Sequence, residues 1–97
     1  MTSAPEIVFS PTAQRQLADI RADELFTEAA RQEKIAEILA ACRDCAEFPR
    51  RWAVGRVEGT RERRVSPFKI VYRPTENGIE VAAIWHERQS RAILPPE

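Results

Sequence analysis

The spacing of apolar residues changes along the chain from strand-like to helical and back again. A short apolar run from Glu6 to Phe9 predicts a first strand. Ser10-Pro11 then makes a helix start: the serine oxygen can accept from free first-turn amides, and proline suits a position whose N–H has no partner anyway. Ala13, Leu17 and Ile20 follow at spacings of three and four, which places one apolar stripe on a helix. A break is expected between about Asp23 and Thr27. Neither Gly nor Pro marks it, so a single bent helix is the alternative. From about Thr27 to Ala46 a second helix carries the stripe Ala30, Ile35, Ile38, Leu39, Cys42 and Ala46, and Phe48-Pro49 stops it. Two helices in hairpin, each with one apolar face, need a sheet to cover.

The pattern then becomes strand-like. Residues 49–56 read as a connecting loop, with Gly55 and Gly59 marking tight turns or a bulge, and three strands follow at about 58–65, 68–73 and 79–87. Ser66-Pro67 separates the first two. Asn77-Gly78, a strong hairpin signal, separates the last two. Taking each dipeptide as the turn itself pairs Val65 with Phe68, Arg64 with Lys69 and Glu62 with Val71. It also pairs Glu76 with Ile79, Val71 with Ile84 and Lys69 with His86. Alternation then assigns Val65, Phe68, Ile70, Tyr72, Ile79, Val81, Ala83 and Trp85 to the helix-facing side. The opposite side receives Glu62, Arg64, Lys69, Arg73 and His86, with Val71, Ala82 and Ile84 between them. Arg61 and Arg63 fall on the helix-facing side, from which they must reach the sheet margin, unless a bulge near Gly59 shifts them. Pro74 cannot donate a ladder bond, so pairing is expected to fade there.

Composition narrows the class. At 97 residues, 43 % hydrophobic and 31 % charged, the chain fits one globular domain spanning 1–97, with a polar tail at about 89–97. No apolar run is long enough to span a membrane, and the first residues lack the basic-then-apolar order of a secretory signal, so a cytoplasmic location is expected. The net charge of zero hides an asymmetry. Residues 1–49 hold nine acids and five bases, and residues 50–97 hold ten bases and six acids. Thirteen of the fifteen bases are Arg, whose fork grips carboxylates and phosphates at two points. That favours a polyanion or an acidic protein partner, with a merely solvated face as the bland alternative. Cys42 and Cys45 form one Cys-x-x-Cys inside a helical pattern, and His86 is the sole histidine. A structural zinc site wants four ligands, so the pair reads as ordinary helical thiols, one of them buried, and neither metal nor cofactor is expected.

The order of elements, β-α-α-β-β-β with a helical hairpin packed on one face of a small antiparallel sheet, resembles the RelE/ParE toxin superfamily, an α+β fold. Particular stretches carry the likeness. Ile7-Val8-Phe9-Ser10-Pro11-Thr12-Ala13, with Leu17 and Ile20, is similar to that family's opening strand and first helix. Pro67-Phe68-Lys69-Ile70-Val71-Tyr72-Arg73 resembles its central strand, and Ile79 to Arg88, ending Ile84-Trp85-His86-Glu87-Arg88, its closing strand. The resemblance implies a type II toxin neutralised by a cognate antitoxin, expected to be acidic and to bind DNA through a ribbon-helix-helix part.

Two activities occur within that superfamily: ribosome-dependent cleavage of messenger RNA (RelE-like) and poisoning of DNA gyrase (ParE-like). Cleavage through the 2′-hydroxyl needs a base, an acid and cations for the phosphate. Glu62 as base, His86 as proton shuttle, and Arg64 and Lys69 as phosphate holders would supply these. Yet Lys69 stands where nuclease members tend to carry Arg, and His86 falls about one residue early, which on a strand means the other face. No lysine cluster lies on the strand at 58–65, and Arg88 is the nearest match to the nuclease pattern at the end of the last strand. The reading therefore favours gyrase inhibition, with the nuclease and an inactive antitoxin-binding module as alternatives. Arg64, Lys69, Arg73, His86, Arg88 and Trp52 are the candidate contacts to antitoxin or target.

Overall fold

The computed structural model describes residues 4–87. Arg88 and the polar tail at 89–97 lie outside the described residues. The elements run β1 (Glu6–Phe9), α1 (Pro11–Ala22), α2 (Glu28–Glu47), β2 (Ala53–Val54), β3 (Arg61–Val65), β4 (Phe68–Pro74) and β5 (Gly78–His86). They form one sheet of order β1-β5-β4-β3-β2, in which β1 runs parallel to β5 and the other pairs are antiparallel. The expected architecture is present. The short strand β2 is an addition within what the sequence presents as a loop.

Local chemistry accounts for the helices. Ser10 caps α1 by accepting from Ala13 N at 3.0 Å, and Pro11 occupies the first turn. Thr27 caps α2 in the same way, accepting from Ala30 N at 3.1 Å. The hairpin therefore breaks where expected, through two capping geometries rather than through glycine or proline. Ala13 and Leu17 of α1 and Ile35, Ile38, Ala41, Cys42, Cys45 and Ala46 of α2 pack on Ile70, Tyr72, Ile79, Val81 and Ile84 of the sheet. Burying an aliphatic side chain such as Ile38 or Ile79 contributes about 1.5–3 kcal/mol.

The β3–β4 register is the expected one, with Val65 opposite Phe68, Arg64 opposite Lys69 and Glu62 opposite Val71. The β4–β5 register is not. Thr75 N donates to Gly78 O at 2.8 Å, so Glu76-Asn77 forms the turn and Gly78 opens β5. Pro74 still pairs with Ile79, and Arg73 pairs with Glu80. That displacement is two residues and preserves the faces of Ile79 and Val81. A β-bulge then intervenes: Tyr72 lies opposite Val81 while Val71 lies opposite Ala83, which leaves Ala82 as the extra residue. Beyond it every side chain of β5 exchanges faces. Ile84, expected on the open side, is in the core under the helices. Ala83 and Trp85, expected beneath the helices, form a separate apolar cluster with Val71.

The bulge is held by α1. Ser10 Oγ donates to Ala82 O at 2.7 Å, Ser10 N donates to Val81 O at 2.9 Å, and Gln16 Oε1 accepts from Ile84 N at 2.6 Å. Backbone groups that lose ladder partners at a bulge are thereby satisfied. Gly78 has its own constraint, because β1 runs so close that a Cβ there would lie 1.9 Å from Glu6 O.

Candidate functional site

Alternation on β3 and β4 and the shifted phase of β5 place Glu62, Arg64, Lys69, Val71, Arg73, Glu80, Ala83 and Trp85 on the face turned from the helices. Glu62 is its hub. Its Oε1 lies 3.3 Å from Lys69 Nζ, and its Oε2 accepts from Arg56 N at 3.0 Å and lies 3.6 Å from Arg56 Nε. The Glu62 side chain is only 13 % exposed, so these contacts are partly shielded from water. The turn that brings Arg56 here depends on Gly55, where a Cβ would meet Thr60 Oγ1 at 2.3 Å. Arg56 also spreads over the Trp85 ring at 5.2 Å, and Trp85 is 4 % exposed.

The remaining cations on this face also have carboxylates. Arg64 binds Glu87 through two parallel bonds, Nε to Oε1 at 2.5 Å and Nη2 to Oε2 at 3.1 Å. Arg73 faces Glu80 at 3.7 Å, and both side chains are 40 % exposed, so the pair contributes about 0–1 kcal/mol. The surface is basic in composition yet internally paired.

His86 departs from expectation. It lies opposite Phe68, on the helix-facing side, with the two rings edge to face at 5.4 Å and 83°. The bulge at Ala82 causes this by reversing the parity that would have joined His86 to Lys69. The four residues proposed for cleavage are therefore divided: Glu62, Arg64 and Lys69 share one face, and His86 belongs to the other. Arg56, Glu87 and Trp85 are members of the open face that sequence reasoning did not assign to it. For Glu87 and Trp85 the missing signal was the bulge.

Arg61 and Arg63, on the helix-facing side, reach the margin as expected. Arg61 donates to Arg50 O at 3.1 Å and Trp52 O at 2.8 Å. Arg63 donates to Asp44 Oδ2 at 3.0 Å and lies over the Trp52 ring at 4.6 Å. Trp52 thus packs against the core between Arg63 and Arg51, whose guanidinium is 5.7 Å from the ring. With Arg50, Arg51 and Arg56 and no acid, residues 48–57 form the most basic margin of the sheet. Among the described residues no group of three or more His, Cys, Asp or Glu is placed to hold a metal ion, and no helix is long and apolar enough to cross a membrane.

Both thiols are fully buried, not one. Burial pushes Cys42 up to about 12, with Cys45 nearby adding to it, and pushes Cys45 up to about 11. Burial likewise raises Tyr72 to about 12. A raised folded-state value favours the neutral form, so the associated stability is complete below the unfolded values, 9.0 for the thiols and 10.0 for tyrosine. It is lost as pH rises through the folded values. Folding stability should accordingly decline above about pH 9. A thiol-reactive disulfide reagent at pH 8 should label neither cysteine in the native protein and both after denaturation; rapid native labelling would contradict this burial.

Comparison with known proteins bears on this geometry. The family model for the ParE toxin of the type II toxin–antitoxin system parDE matches residues 7–91. A chain of a chromosomal ParDE system from P. aeruginosa superposes with TM-score 0.73 at 15 % identity, covering 86 % of this chain and 96 % of that one. A YoeB–YefM complex from Staphylococcus aureus matches with TM-score 0.62 at 16 % identity, covering 87 % and 99 %. A YoeB dimer from the same organism gives 0.64 at 16 % identity, again covering 87 % and 99 %. No curated protein is a significant match by sequence. The solved structures establish a shared fold, and the family model spans nearly all of it: the chain belongs to the ParE toxin family, a type II toxin of the RelE/ParE superfamily.

Proposed function

We propose that this toxin arrests bacterial growth in the cytoplasm by binding DNA gyrase, and that a cognate acidic antitoxin neutralises it. The observation carrying this reading is the division of the cleavage set. A proton shuttle and a base must reach the same ribose and phosphate, yet His86 and Glu62 belong to opposite faces of the sheet. Glu62 is further engaged at both oxygens, by Lys69 and by Arg56. Such a carboxylate serves as a structural clamp better than as a base.

The basic margin formed by Arg50, Arg51 and Arg56 beside β2 suits the antitoxin. Its carboxylates would meet guanidinium groups there, and exposed Val54 and Phe48 would receive apolar side chains. The antitoxin's DNA-binding part is expected to be a ribbon-helix-helix. The test is substitution of the cleavage set. His86→Ala and Glu62→Gln should each leave gyrase inhibition within about threefold of wild type, because neither contributes chemistry to a binding inhibitor. A loss of toxicity of about a hundredfold in both, with folding intact, would point instead to acid–base catalysis.

A further inference from the structure

The connection between α1 and α2 exposes two adjacent large apolar side chains. Leu25 is 89 % exposed and Phe26 is 58 % exposed. A floppy loop could fold such residues away, but this one is fastened. Asp23 Oδ1 accepts from Leu25 N at 3.0 Å, and Phe26 N donates to Asp23 O at 3.3 Å. Arg31 reaches back from α2, donating to Asp23 O at 3.0 Å and Phe26 O at 2.6 Å. The guanidinium thus ties both ends of the turn, and the pair is presented with little ordering entropy left to lose on association.

Charge identifies the kind of surface that fits. Residues 19–33 hold five acids (Asp19, Asp23, Glu24, Glu28, Glu33) against Arg21 and Arg31. An acidic partner is repelled here and drawn to the arginine margin beside β2. A basic partner is drawn here. An enzyme that grips and passes duplex DNA must present cations to phosphates along its track.

We propose that the Leu25-Phe26 tip is the toxin's target-docking element, seated in an apolar pocket rimmed by basic residues on the DNA-handling surface of gyrase. This rests on the gyrase reading above. Leu25 and Phe26 act as anchors, Glu24 and Glu28 meet the basic rim, and Arg31 is a positioning residue that holds the turn.

The test is a supercoiling assay with purified bacterial gyrase, beside growth arrest on induction in cells. Leu25→Asp and Phe26→Ser should each raise the half-inhibitory concentration at least about tenfold, while Leu25→Met stays within about threefold. Circular dichroism and thermal melting should match wild type for all three, because both side chains are exposed. Inhibition should also weaken as salt rises. Undiminished inhibition by Leu25→Asp overturns the proposal. If wild-type toxin does not inhibit gyrase, the gyrase reading falls separately. Growth arrest then decides for the tip: its loss in Leu25→Asp supports a docking role, and its persistence removes one.

Discussion

Replacing Gly78 with alanine is expected to be among the most damaging single substitutions in the protein. The added Cβ would lie 1.9 Å from Glu6 O, 2.6 Å from Glu6 N and 2.8 Å from Glu6 C. All three are backbone atoms, so no side chain can rotate away to make room. Glu6 lies directly opposite Gly78 in the parallel pairing of β1 with β5, and its N–H donates to Asn77 O at 2.8 Å. Relief requires β1 to move off the sheet, taking Ile7 and Phe9 from the core margin. We expect a loss of about 3–4 kcal/mol, at the upper end of overpacking costs. For a domain of this size that lowers the melting temperature by roughly 15–25 °C. A thermal or urea melt reads it directly, and a loss below about 1 kcal/mol would show that β1 does not approach so closely.

Tyr72→Ala should be comparably severe. Tyr72 is fully buried at the centre of the sheet, opposite Arg61 on one side and Val81 on the other. Its hydroxyl donates to Pro49 O at 2.7 Å, which joins the middle of β4 to the corner where α2 ends. Truncation leaves a cavity beside Cys45 and is expected to cost about 3–5 kcal/mol. Tyr72→Phe keeps the ring and loses the hydroxyl's bonds to Pro49 and Cys45, so it should cost about 1–2 kcal/mol. The difference between the two variants in a urea melt separates packing from hydrogen bonding at this corner. Equal losses would contradict that division.

The sequence reveals more of this fold than of its site, and the boundary is physical. Ser10-Pro11, the stripe of Ala13, Leu17 and Ile20, and the Val65–Phe68 turn are local signals, and each leads to the right element. The hairpin between β4 and β5 shows where local signals stop. Asn77-Gly78 suggests a turn on those two residues, but Gly78 is needed inside the ladder to admit β1, which is far away in sequence. The bulge at Ala82 is more remote still. It is fixed by Ser10 and Gln16, which are 72 and 68 residues from the groups they bind. No pattern within β5 announces it, because the alternating apolar run from Ile79 to Trp85 reads smoothly in either phase.

That one residue decides the chemistry of the face. Without the bulge, His86 would share the face of Lys69, Arg64 and Glu62, a set sufficient on paper for RNA cleavage. With it, Trp85 takes that side, covered by Arg56, and His86 packs edge-on against Phe68. Two side chains, the Ser10 cap and Gln16 of α1, each making one hydrogen bond to β5, thereby keep His86 off the face that carries Glu62, Arg64 and Lys69.

On the proposed function, wild-type toxin binds gyrase and leaves messenger RNA uncut. The most direct test sets purified toxin against gyrase in a supercoiling reaction and, in parallel, against messenger RNA on translating ribosomes read by primer extension. Loss of supercoiling with intact transcripts is the predicted result. Transcripts cleaved on the ribosome while supercoiling proceeds unhindered would contradict it.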